Sequence, residues 1–263
     1  MKARIGSFLL GFALLTSTAG LASAAATGVL PGFNSANRLY EQGKYAEAAS
    51  GYEKILESGA ASPALYFNMG NACFKAGQLG RAVYAYRKAQ ALAPHDPDVQ
   101  ANLEFTRNQV QGPTWRASRW EEWLGTLTLN EWAWLASVAL WVTFLLMTVR
   151  QFKPVKKRTL RNTALATGCA TILFGALFGC AFAHHRDVKT AVVVKPKVLV
   201  HTGPFAESQD SFTAHDGAEL RILDRKDDWL QVSDGTRRIG WLKQSDVLLP
   251  DSSNVASREK PVS

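Results

Sequence analysis

Two stretches of this 263-residue chain run without charge for about the thickness of a bilayer's hydrocarbon core. Trp132 to Val149, WAWLASVALWVTFLLMTV, holds eighteen residues, and Thr163 to Ala183, TALATGCATILFGALFGCAFA, holds twenty-one. As helices they would reach about 27 and 32 Å, against a core of roughly 30 Å. Their only polar side chains are Ser, Thr and Cys, which can bond back to the helix. We therefore expect transmembrane helices at 132–149 and 163–183, with Trp132 and Trp134 near the headgroups. The connector, RQFKPVKKRTLR, carries six basic residues and no acid. Short loops rich in Lys and Arg stay in the cytoplasm, so 150–162 is read as a cytoplasmic basic loop.

Charge elsewhere supports that reading. A net charge of +8 and a pI near 9.5 could suggest a polyanion partner. However, Ala25–Val149 holds ten basic and ten acidic residues, and His184–Ser263 holds twelve of each. The excess lies in the connector and in Lys2 and Arg4, so no nucleic-acid partner is expected. Those two cations precede an apolar run, Ile5–Leu15, and then LASAAA, the order of a signal peptide. We read 1–24 as that peptide, cut after Ala24 or alternatively after Ala26. The next segment is then exported, the first span runs inward and the second outward. Cys73, Cys169 and Cys180 form no disulfide framework or metal spacing, so no cofactor or metal is expected. Cys73 reads as a small buried residue.

Before the spans, Asn37, Gly43, Ala48, Tyr52 and Lys54 recur 34 residues later as Asn71, Gly77, Ala82, Tyr86 and Lys88. This period, with Tyr66, Met69, Gly70, Cys73, Ala82, Tyr86 and Pro94, resembles the tetratricopeptide (TPR) repeat. The resemblance implies all-α helical hairpins over 27–111, with repeats at 29–62 and 63–96 and a capping helix at 97–111. Apolar residues at three- and four-residue steps support helices independently. Two repeats fall short of the three that usually stabilise such a stack, so help from the membrane or a partner is expected.

TPR stacks hold extended peptides on the concave face lined by the first helix of each pair. The candidate peptide-binding residues are Asn37, Tyr40, Asn71, Phe74, Lys75 and Asn102. The asparagines could bond a peptide backbone or, alternatively, neighbouring helices. Asn37 and Asn68 resemble part of a carboxylate clamp, but Phe33, Asp98 and Asn102 stand where it would need cations. Next, 112–131 is an aromatic segment in which Trp120, Trp123, Leu124 and Leu127 share a helical face. It reads as a helix in the bilayer interface or, second, as a partner surface. Within the second span, Ala164, Gly168, Gly175 and Gly179 would pack on the first span or on a partner's helix or, equally, reflect only that glycine is common in membrane helices.

Beyond the spans, 188–250 turns to short β-branched runs with Asp216-Gly217 and Asp234-Gly235 as hairpin signals. About five strands are expected in a small all-β barrel. The order VLVHTGP, HDGAELRIL, DDWLQV and GWL resembles a bacterial SH3-like domain. Trp229 is the candidate ligand-stacking residue, whereas Trp241, between Gly240 and Leu242, is read as core. Asp224, Asp227 and Asp228 read as solvated turn residues. His184-His185 has poor geometry for one metal. The tail 251–263 reads as disordered.

The fold class is thus a multidomain membrane protein: TPR helical hairpins, two transmembrane helices and a small SH3-like barrel. This order, with NLEFTRNQV, WAWL and DDWLQV…GWL, resembles the BatE-type proteins of bacterial aerotolerance (Bat) operons. The resemblance implies a two-pass inner-membrane protein with both soluble domains in the periplasm. It implies Bat-type partners with von Willebrand A-type domains, a MoxR-type ATPase, and a link to oxidative or envelope stress. No nucleophile–base constellation or phosphate loop suggests an enzyme. The expected function is therefore that of an adaptor, or alternatively of a periplasmic peptidoglycan sensor.

Overall fold

The computed structural model describes residues 22–152, 157–187 and 189–250. Residues 1–21 of the expected signal peptide (1–24), part of the basic connector and the tail 251–263 lie outside the described residues. Five helices open the chain: α1 (Ala22–Glu41), α2 (Tyr45–Glu57), α3 (Pro63–Lys75), α4 (Leu79–Leu92) and α5 (Pro97–Arg107). Local chemistry sets their ends. Ser62 accepts from the Leu65 amide before Pro63, and Asp96 accepts from Asp98 and Val99 before Pro97. Gly43 and Gly77 turn each hairpin with φ of +76°, a conformation that costs a side chain energy. The repeat extends to interactions: the Tyr52 hydroxyl donates to Asn37 Oδ1 at 2.6 Å, and Tyr86 to Asn71 Oδ1 at 2.7 Å. Ala48 and Ala82 are fully buried where the paired helices cross.

The aromatic segment divides differently from expectation. Residues 112–117 lie along the sheet, with the Trp115 amide donating to the Glu219 carbonyl at 2.7 Å. The short helix α6 (Arg119–Leu124) begins at a Ser118–Glu121 capping box. Its Leu124 packs with Trp132 and Ala181, and Trp132 donates to the Leu124 carbonyl at 3.1 Å. Trp132 is therefore buried in a joint, whereas Trp120 and Trp123 stack on each other and stay exposed.

The two apolar helices, α7 (Leu129–Phe152) and α8 (Lys157–Asp187), pack against each other. Both continue into the expected basic loop, because Lys and Arg are good helix formers. Their apolar windows, Leu129–Val149 and Asn162–Ala183, are only 11% and 6% buried, unlike core helices of a soluble domain. Thr143 and Thr171 approach to 3.2 Å across the seam, while Trp134, Trp141, Phe144 and Ile172 face outward. Ala164 is buried, but Gly168, Gly175 and Gly179 have open space where a Cβ would stand. The glycines therefore do not pack on α7.

Seven strands follow: β1 (Thr190–Val193), β2 (Lys197–His201), β3 (Asp210–His215), β4 (Glu219–Lys226), β5 (Trp229–Ser233), β6 (Ile239–Lys243) and β7 (Val247–Leu248). They form an antiparallel sheet in the order β3-β2-β6-β5-β4-β1-β7, two strands more than expected. The described ladders leave it open, with β3 and β7 as edges, where a closed barrel was expected. Alternation puts Val198, Val200, Leu230, Val232 and Leu242 into one core. Asp234-Gly235 lies in the β5–β6 hairpin, but Asp216-Gly217 joins β3 to the non-adjacent β4. The expected hairpin there is absent because each strand pairs elsewhere and the Asp216 carboxylate accepts from Gly80 at 3.0 Å.

That contact belongs to a joint the sequence reading did not include. The sheet closes the end of the helical stack, and Val192 sits in the helical core. Gly80 lies so close to β1 that a Cβ would overlap the Val193 carbonyl oxygen. Glu219, only 2% exposed, takes Arg107 at 2.6 and 2.9 Å and Arg87 at 2.8 Å. Burial alone would raise its pKa. The bonds and charge of Arg107, then those of Arg87, outweigh this and hold the carboxyl below its usual range. The sheet of the same chain thus covers one end of the two-repeat stack.

Candidate functional site

The six residues expected on the concave face lie together. Asn37 and Tyr40 come from α1, Asn71, Phe74 and Lys75 from α3, and Asn102 from α5. They line two adjoining pockets of about 210 Å³ each, which share Tyr40 and Asn71. One pocket adds Glu41, Tyr52 and Asn68; the other adds Tyr86, Phe105 and Thr106. Glu41 thus lines one pocket and Lys75 the other.

Hydrogen bonding makes the asparagines less free than the sequence suggested. Asn37 and Asn71 use their carbonyl oxygens to accept the Tyr52 and Tyr86 hydroxyls. Burial, then Tyr40 and Glu41, pushes the Tyr52 hydroxyl up to about 12, so it remains a donor near neutral pH. Asn102 donates weakly to Asn71 Oδ1 at 3.5 Å. The Asn37 and Asn71 amide N–H groups are then the ones suited to a peptide carbonyl. Phe74 and Phe105 meet edge-on at 5.6 Å, and Phe105 is 55% exposed. The pair forms an apolar platform beside the Lys75 cation. Tyr52 and Tyr86 were visible as repeat positions, but only folding joined them to asparagines fifteen residues upstream. Phe105 and Thr106 carried no separate signal.

On the sheet, Trp229 is half-buried, with Lys243 Nζ 5.6 Å from its ring centre and the His201 ring 5.8 Å away. It sits apart from the helical groove. Trp241 does not belong to the core as expected. Gly240 and Leu242 point inward, so alternation turns Trp241 to the outer face beside His201 and Gln231. Asp227 and Asp228 form the exposed β4–β5 turn.

Residues 33–97 match the Tetratricopeptide repeat family, from within α1 to the start of α5. The match covers both hairpins, and TPR repeats are protein-interaction modules, generally without enzymatic activity. No curated protein and no solved structure matches the chain.

Proposed function

We propose that the protein is a two-pass inner-membrane adaptor whose TPR groove holds an extended segment of a partner protein. The observation that carries this reading is the groove itself, with amide donors, a phenylalanine pair of which Phe105 is exposed, and Glu41 and Lys75 in its two pockets. A membrane location is supported by two paired helices with apolar outer faces, surface of a kind that soluble proteins cover. Both soluble parts share one side in this account. The helical stack and the sheet, which flank the helix pair in sequence, are joined through Glu219. The basic connector and the signal-like start support the periplasm as that side.

The finer proposal is a Bat-type complex with von Willebrand A-type partners, supported by the order of modules and by the SH3-like pattern of 188–250. Phe74→Ala combined with Lys75→Glu alters the groove without touching the Tyr86–Asn71 bond. Solubilised in mild detergent, the original chain should carry Bat-type partners that this variant loses. Equal recovery on the variant, or no such partner on either, would count against the proposal.

A second reading, a peptidoglycan sensor, is favoured by Trp229 between Lys243 and His201. The sheet buries Glu219 against the helices, so the full chain is the proper probe. Retention on purified sacculi that Trp229→Ala abolishes would support this second reading; no retention would remove it.

A further inference from the structure

Among the described residues, the repeat stack is closed at one end and open at the other. Beyond α4, α5 and the sheet cover it through Val99, Leu103 and Val192. The outer side of α1 and α2 is instead a groove of about 990 Å³. Gly32, Leu39, Ser50, Gly51 and Ile55 line it, with Glu47 and Lys54 along α2.

The 34-residue period identifies this surface. Moving Gly32, Leu39 and Gly51 forward by one period gives Tyr66, Cys73 and Ala85, which are buried where the first three are half-buried, whereas Ala36 and Ile55 are as buried as their counterparts Gly70 and Ala89. Glu47 moves to Arg81, which reaches back to Glu53 of the first hairpin at 2.8 Å. In the second hairpin α3 packs on α2 of the hairpin before it, and the Arg81–Glu53 pair lies across that contact. In the first hairpin the groove stands where a further helical pair would pack.

We propose that this open end docks on the same end of a second copy of the chain, as a two-fold dimer. Head-to-tail stacking would need the opposite end, which the sheet occupies. That leaves a self-matching contact between two open ends. The charges on α2 fit it. Glu47 and Lys54 share one stripe of the helix and stand equally far on either side of Ser50-Gly51. An antiparallel crossing centred there sets Glu47 against Lys54 of the partner subunit, and the symmetry repeats the pair. Ser50 and Gly51 are small, so the two helices can approach closely.

The test uses the full chain in detergent, with Cys169→Ser and Cys180→Ser because both thiols are exposed. Ser50→Cys should then form a disulfide-linked dimer on mild oxidation. Gln100→Cys, exposed on α5, should not. Sedimentation adds a readout independent of that bond. E47K or K54E alone should weaken self-association about tenfold, and the double reversal should return it to within about threefold of the original. Circular dichroism separates these outcomes from misfolding. A monomer at every concentration would overturn the proposal. So would a double reversal no better than either single change, or Ser50→Cys linked to a different protein.

Discussion

Glu219→Gln preserves the shape of the side chain at the joint and removes its charge. The carboxylate accepts three bonds from two guanidinium groups and is only 2% exposed. Breaking a buried pair on one side costs about 3–5 kcal/mol. Glutamine keeps one acceptor oxygen, and Arg87 and Arg107 retain side-chain exposures of 19% and 26%. Both facts favour the lower end, about 3 kcal/mol or roughly two powers of ten in the docking equilibrium. Hydrogen exchange reads this directly. The Trp115 amide is held by the Glu219 carbonyl and the Gly80 amide by Asp216, so both should exchange roughly a hundredfold faster. Amides inside α4 and β5 should keep their protection, since each lies in its own core. Acid should act in the same way. The folded pKa of Glu219 lies below an unfolded value of about 4.3, so its contribution is complete above that pH. The contribution is lost as pH falls through the lower folded value, and the variant should lack this acid step. Unchanged exchange at Trp115 and Gly80, or loss of protection throughout the chain at once, would refute the reasoning.

Three further outcomes are expected. Asn71→Ala strands the buried Tyr86 hydroxyl and should cost about 1–3 kcal/mol, measured by denaturant unfolding, with Asn71→Asp closer to the original. Gly80→Ala places a methyl against the Val193 carbonyl and should cost about 1–3 kcal/mol at the joint, seen as faster exchange at Trp115. Burial pushes the Cys73 thiol up to about 11, so a neutral-pH alkylating reagent should modify it only after denaturation.

The helical pairs were legible because the 34-residue recurrence reports contacts close in sequence. Gly43 and Gly77 turn each pair, and Ala48 and Ala82 mark the crossings. The repeat also groups Asn37, Tyr40, Asn71, Phe74 and Lys75 on the first helices, whereas Tyr52, Tyr86 and Phe105 join the same two pockets from α2, α4 and α5. The joint was not. Arg107 and Glu219 are separated by 112 residues, and each alone reads as an ordinary surface charge. Trp241 misled because its apolar neighbours suggested burial, although in a strand those neighbours point the opposite way. Asp216-Gly217 has hairpin chemistry, yet it serves a crossing and a bond to Gly80.

The central claim is that the helical stack and the sheet form one body on one face of the membrane, with the basic connector on the other. Cysteines introduced one at a time at Gln100, Asp228 and Lys157, in a chain that lacks Cys169 and Cys180 and keeps the buried Cys73, test it in intact spheroplasts with a membrane-impermeant maleimide. The account expects labelling at Gln100 and Asp228 at once, and at Lys157 only after permeabilisation. Labelling of Lys157 in intact spheroplasts, or of only one of the other two, would contradict it.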